Sequence, residues 1–158
     1  MTLAAIPPIL LVGCGRMGSA MLSGWRERGL APSVAVDPAP AARAWTGPDL
    51  TVVPGPAAIP SGFTPEAVVF AVKPQNAAAT LPDYAGYAGL SVFLSIMAGR
   101  TIGGIRPLLG ENAAIVRAMP NTPAAVRQGI TVACPGQGVA PAQRALCEDL
   151  LRAIGKVA

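Results

Sequence analysis

The sequence predicts an α/β domain: a mostly parallel sheet with helices on both faces. Short apolar, β-branched runs alternate with stretches able to form helices, the pattern of parallel strands joined by crossovers. A glycine turn follows the first of those runs directly. Apolar residues make up 52% of the chain and aromatic residues 4%, so the core has to be built from Ala, Val, Leu and Ile, which suits helices lying close on a sheet. At 158 residues the chain is long enough for one domain with a full core and gives no reason to expect two.

The strands are expected at Ile9 to Val12, Val34 to Val36, Thr51 to Val53, Ala67 to Val72, Val92 to Ile96, Ile115 to Ala118 and Ile130 to Ala133. Between the first two, Met17, Met21 and Gly24 recur at helical spacing, and Gly29 can stop that helix. The run Pro54 to Pro65, rich in proline and glycine, reads as a loop or a broken helical turn, and no chemistry is placed there. Ala142, Leu146, Leu150 and Ile154 form one apolar stripe, which predicts a helix from about Pro141 onward. Gly155 to Ala158 looks like the start of a further strand, as if the chain had been cut there.

Twelve Lys and Arg against eight Asp and Glu give a net charge of +4, but the basic residues stand singly from Arg16 to Lys156. Without a basic run or stripe, nucleic acid is not an expected partner, whereas a small phosphate-bearing ligand suits the balance. Cys14, Cys134 and Cys147 are odd in number and far apart, and the chain has no histidine. Neither a structural metal nor a disulfide is expected. No apolar stretch is long enough to cross a bilayer, and Pro7-Pro8 with no basic region before it is not a signal-peptide layout, so a cytoplasmic protein without a membrane partner is expected.

Gly13-Cys14-Gly15-Arg16-Met17-Gly18 carries the first chemical signal. A pyrophosphate can lie on backbone N–H groups only where no β-carbon intrudes, which assigns Gly13 and Gly15, while Gly18 lets the helix approach the strand. The helix beginning near Arg16 offers unpaired N–H donors and the positive end of its dipole. A tight strand-to-helix turn that merely needs glycine is the plainer alternative. The preceding strand, the following helix and the strand ending at Asp37 all fall where a Rossmann-like dinucleotide fingerprint requires.

Asp37 lies 24 residues past Gly13, where an acidic side chain accepts hydrogen bonds from the adenosine ribose hydroxyls. Its carboxylate repels a 2′-phosphate and so favours NADH over NADPH, unless Arg43 swings in to offset it. The alternative is an aspartate serving the turn ahead of Pro38.

Ligands of an open α/β sheet sit beyond the carboxyl ends of the strands. Ala71, Val72, Lys73 and Pro74 end one strand abruptly, since proline cannot donate to a ladder, and are expected to face the nicotinamide half of the cofactor. Lys73 could reach the ribose or a substrate carboxylate, or be a solvated lysine at a strand end. Ser95-Ile96-Met97-Ala98-Gly99 closes the next strand with small residues, leaving room for a ring over Ala98 and Gly99 or forming a simple turn. Met119-Pro120-Asn121-Thr122-Pro123, after another strand at the same edge, is expected to be an extended loop forming one wall of the site.

Taken together, Gly13 to Gly18, Ala71 to Pro74, Ser95 to Gly99 and Met119 to Ala124 resemble the N-terminal domain of pyrroline-5-carboxylate reductase, over nearly the whole chain in order and spacing. The resemblance implies reduction of the small-molecule imine (S)-1-pyrroline-5-carboxylate to L-proline by NADPH or NADH. It also implies that Val12, Gly13, Cys14, Gly15, Arg16, Met17, Gly18, Asp37, Ala71, Val72, Lys73, Pro74 and Ala98 touch the cofactor. Lys73, Asn121 and Thr122 would be the catalytic candidates, with Met119 to Thr122 near the imine.

Two departures stand out. Asp37 occupies a position where NADPH-preferring members carry a small hydroxyl or neutral polar residue. Members of the family also continue into an all-helical dimerisation domain bearing a Ser-Gly-Ser-Gly-Pro-like substrate loop, and that loop is not in this sequence. Residues 1–158 would thus be a cofactor-binding half, inactive alone and homo-oligomeric only in a longer form, with part of the stripe on its last helix exposed. The competing readings are a non-catalytic nucleotide-binding module and a β-hydroxyacid-dehydrogenase-like enzyme, for which no catalytic lysine on a later helix is present.

Overall fold

Alternation within each strand decides which layer of the molecule it feeds. In β1 (Ile9–Val12) all four side chains are buried; Ile9 and Leu11 enter the core on one face, Leu10 and Val12 the core on the other. The same two-sided burial recurs in β2 (Ser33–Val36), β4 (Ala67–Phe70) and β5 (Val92–Ser95), as expected of parallel strands covered on both faces. The computed structural model describes residues 5–120 and 129–157.

With β3 (Leu50–Val53), β6 (Ala114–Pro120), β7 (Gly129–Pro135) and β8 (Gly155–Val157) these strands form one eight-stranded sheet, in the order β3-β2-β1-β4-β5-β6-β7-β8. From β3 to β6 every pairing is parallel; β7 runs antiparallel to β6, and β8 parallel to β7. Only residues 121–128 lie between β6 and β7, too short a link for the dozen or more residues a parallel crossover takes.

One face of the sheet is covered by α1 (Arg16–Arg28) and α4 (Pro141–Leu151), the other by α2 (Ala77–Thr80), the 3₁₀ segment Leu81–Tyr87 and α3 (Ile102–Leu109). The Trp25 indole N–H donates to the Leu150 carbonyl at 3.0 Å, tying α1 to α4. A Cβ on Gly24 would stand 2.6 Å from the Ala153 carbonyl oxygen, so only glycine lets α1 lie this close to the turn after α4.

Several boundaries differ from expectation. β4 stops at Phe70 instead of Val72, because the chain turns at Ala71 into the Lys73-Pro74 corner. Met119 and Pro120, expected in a loop, extend β6 and pair with Val132 and Thr131. The stripe on α4 is mostly covered: Leu150 and Ile154 are buried, Leu146 is half-buried and Ala142 is exposed, so exposure is confined to the helix's first turns. Among the described residues no helix is long and apolar enough to cross a membrane.

Candidate functional site

Strands β3, β2, β1 and β4 end at one rim of the sheet, and a cleft of about 460 Å³ opens there. It lies where the strand order reverses, β1 having β2 on one side and β4 on the other, the usual ligand position of an open α/β sheet. Val12, Gly13 and Gly15 line it after β1, Val36 to Pro38 after β2, Pro54 to Pro56 after β3 and Ala71 to Lys73 after β4. Asn76, Thr80, Asp83 and Tyr84 close its far wall.

The glycines of the first turn have different reasons to be glycine. Gly13 has φ +100, and a Cβ there would meet the Ala71 carbonyl oxygen at 2.7 Å. The chain's own packing therefore requires glycine at this position of the cleft lining, whatever clearance a ligand needs. A Cβ on Gly18 would stand 2.1 Å from the Gly13 carbonyl oxygen, which bears out the close helix-to-strand approach. Gly15 has an ordinary extended backbone, φ −69 and ψ −161, and a Cβ there would meet nothing within 4 Å. The space it leaves opens into the cleft at the N-terminus of α1, a helix whose first turn has neither a side-chain cap nor an acidic residue. Unpaired amides and the positive helix end beside vacant space fit an anionic group such as a diphosphate.

Asp37, at the end of β2, stands directly beside this turn on the lining of the cleft. One carboxylate oxygen accepts from the Cys14 backbone N–H at 2.7 Å and the other from Ala39 N–H at 2.9 Å. Asp37 thus organises its own turn, and it also lines the cleft. The remaining residues of the fingerprint point elsewhere. Cys14 and Met17 are half-buried against the α1 and α4 core, Gly18 is buried, and Arg16 is exposed outside the cleft lining. Burial, with Asp37 adding to it, pushes the Cys14 thiol up to about 11, so it stays protonated at neutral pH.

Ala71, Val72 and Lys73, expected toward the nicotinamide, share the cleft that holds Asp37 and the end of β3. Lys73 is exposed at its edge. Pro74 is outside the lining, but its carbonyl accepts from Arg100 Nε at 3.1 Å and Nη2 at 2.9 Å. That fork joins the corner after β4 to the turn after β5, where Ala98 and Gly99 are exposed with open space above Gly99. Ala98 therefore belongs to the neighbouring rim, outside this cleft. Asn121 and Thr122, with Pro123 and Ala124, lie outside the described residues.

Pro54 to Pro56, Asn76, Thr80, Asp83 and Tyr84 were not anticipated as site residues. They sit in short 3₁₀ and single-turn segments whose residues show no periodicity to read. The proline-rich composition of 54–65 signals a loop after a strand, and the rule that ligands bind at carboxyl strand ends could have nominated it.

Residues 8–99 match the family described as NADP oxidoreductase, coenzyme F420-dependent. A pyrroline-5-carboxylate reductase of Pseudomonas aeruginosa is 30% identical over 152 residues, 94% of this chain and 56% of that protein. One of Haemophilus influenzae is 32% identical over 151 residues, 94% of this chain and 55% of that protein. Among solved structures, a pyrroline-5-carboxylate reductase from Coxiella burnetii superposes with a TM-score of 0.85 at 26% identity, over 94% of this chain and 57% of that one. The Plasmodium falciparum pyrroline carboxylate reductase with NADP bound, at 23% identity and a TM-score of 0.82, shares the fold over 99% of this chain and 58% of its own. The chain thus spans a little over half the length of these relatives.

Proposed function

The chain belongs to the family of NADP oxidoreductases described as coenzyme F420-dependent, and on that premise we propose that residues 1–158 are the dinucleotide-binding part of a pyrroline-5-carboxylate reductase. The substrate is the cyclic imine (S)-1-pyrroline-5-carboxylate and the product L-proline. The observation that carries the reading is Gly15: no packing contact and no unusual φ demands glycine there, yet its missing side chain leaves space where α1 presents unpaired amides. The names of the relatives, together with the Ala71-Val72-Lys73-Pro74 corner, support the particular reaction.

The Gly13 and Cys14 N–H groups already donate to the Val36 carbonyl and to Asp37, so the diphosphate is held at Gly15 and the first amides of α1, and Asp37 accepts from a ribose hydroxyl with the lone pairs that Cys14 and Ala39 leave free. Lys73, at the edge of the cleft, orients the ribose or the substrate carboxylate. The nicotinamide, when bound, supplies hydride to the imine carbon; the protein's part is to position the two and exclude water. The substrate pocket is completed by Asn121, Thr122 and the part of the relatives that this chain does not span. The whole protein self-associates through that part and works in the cytoplasm.

Two measurements test this. Titration of the purified chain with NADPH and NADH, followed by nicotinamide fluorescence, should show saturable binding. The chain joined to the carboxyl-terminal part of the P. aeruginosa relative should oxidise the reduced cofactor only when pyrroline-5-carboxylate is present. A chain that binds neither cofactor, or a fusion that binds but never turns over with the imine, rejects the assignment.

A further inference from the structure

Tyr84 is out of keeping with its surroundings. It is 1% exposed and packs edge-on against Phe70, ring centroids 5.7 Å apart, while Phe70 stacks on Phe93 at 5.8 Å. For packing alone phenylalanine would serve, as it does at those two neighbours. Yet Tyr84 carries a hydroxyl that makes no hydrogen bond with any described residue, and it borders the cleft. The hydroxyl itself is not sealed from the cleft, which leaves its hydrogen bond to solvent or to a ligand there. Burial, and then Asp83, push this phenol up to about 12, so it remains a donor at any physiological pH.

The position of Tyr84 says what the donor faces. It shares its cleft with Asp37 and with Pro54 to Pro56, at the ends of β2 and β3, and with Ala71 to Lys73 at the corner after β4, whereas Ala98 at the end of β5 lies outside. A dinucleotide with its diphosphate at Gly15 sends one nucleoside to each side of the switch point, and the nucleoside on the β2 and β3 side is adenosine. We infer that the Tyr84 hydroxyl hydrogen-bonds the adenosine half of the dinucleotide, within a subsite that Thr80 and Asn76 complete on the far wall. This rests on the dinucleotide reading above and assigns Tyr84 a binding role in it.

The test compares wild type with Tyr84→Phe, which keeps the ring and its contact with Phe70, in titrations with NADH, ADP-ribose and nicotinamide mononucleotide. Loss of one hydrogen bond should weaken NADH and ADP-ribose by a common factor of about 3 to 10, leaving nicotinamide mononucleotide unchanged. A second measurement does not depend on the variant's stability: ADP-ribose should perturb the near-ultraviolet tyrosine absorption of the wild type, and nicotinamide mononucleotide should not. If wild type binds ADP-ribose without that perturbation, or Tyr84→Phe binds it as tightly as wild type, the inference alone is overturned. If wild type binds no dinucleotide at all, the underlying reading fails and takes the inference with it.

Discussion

The Cys14 backbone N–H donates to Asp37 at 2.7 Å, so the end of β2 holds the neighbouring glycine turn in place. Because Asp37 also accepts from Ala39 N–H, Asp37→Ala removes two charge-assisted bonds at once and should cost about 1–3 kcal/mol in denaturant unfolding. Asp37→Ser retains a polar acceptor and removes the charge. Titration of that variant should shift the ratio of affinities toward NADPH, and an unchanged ratio would remove Asp37 from cofactor selection.

Gly15 and Gly18 should respond to alanine in opposite ways. Gly18→Ala drives a Cβ to 2.1 Å from the Gly13 carbonyl, an overpacking that should cost about 2–3 kcal/mol or prevent folding. Gly15→Ala meets no described atom within 4 Å, so stability should stay within about 0.5 kcal/mol of wild type. Its dinucleotide affinity should nonetheless fall at least tenfold, because the new methyl occupies the space proposed for phosphate. Thermal melting and cofactor titration of the two variants separate the effects.

Trp25 joins α1 to α4 through its bond to the Leu150 carbonyl and is 1% exposed. Replacing it with phenylalanine removes that bond from a carbonyl that also accepts from the Arg152 N–H, and leaves a void beside it, which should cost about 1–3 kcal/mol. Unfolding midpoints in urea measure the loss. A change below about 0.5 kcal/mol would mean that the indole N–H adds nothing to the join between α1 and α4.

The thiols set a limit on alkaline stability. Burial, assisted by Asp37 and Glu148 respectively, raises Cys14 from its ordinary 9.0 to about 11 and Cys147 to about 12. Above pH 9 the unfolded chain loses these protons while the folded chain keeps them, so the native state binds more protons and stability falls as pH rises. The contribution is whole below pH 9 and is lost progressively toward pH 11 and 12. Unfolding free energies measured from pH 8 upward should decline over this window, and less steeply in Cys147→Ala. At neutral pH a thiol reagent should modify exposed Cys134 first, with buried Cys147 protected until unfolding.

How far the sequence could be read depended on periodicity. β1, its glycine turn and α1 were legible because Ile9 to Val12 form an unbroken apolar run and the helical spacing of Met17, Met21 and Gly24 follows at once. Leu150 on α4 and Ile154 in the 3₁₀ turn after it marked the buried stripe correctly, but the stripe alone could not show that Cys147 and Leu151 complete the covered face. The antiparallel turn of β7 was also within reach, since the link at 121–128 is too short for a crossover. Tyr84 and Pro54 to Pro56 were not, because 3₁₀ turns repeat nothing and their arrival at the cleft depends on where β3 and β4 end. Gly13 illustrates a different gap: sequence names a glycine, but only the carbonyl of Ala71 pressing on it shows that the need comes from the chain itself.

The guanidinium of Arg100, gripping the carbonyl of Pro74 with two nitrogens, has a mechanical consequence. The fork ties the corner after β4, on the cleft, to the turn after β5 beside it. A shift of the Lys73 corner is thereby passed to the turn that carries Ala98, so under the proposed reading the two ends of a long ligand meet walls that move together.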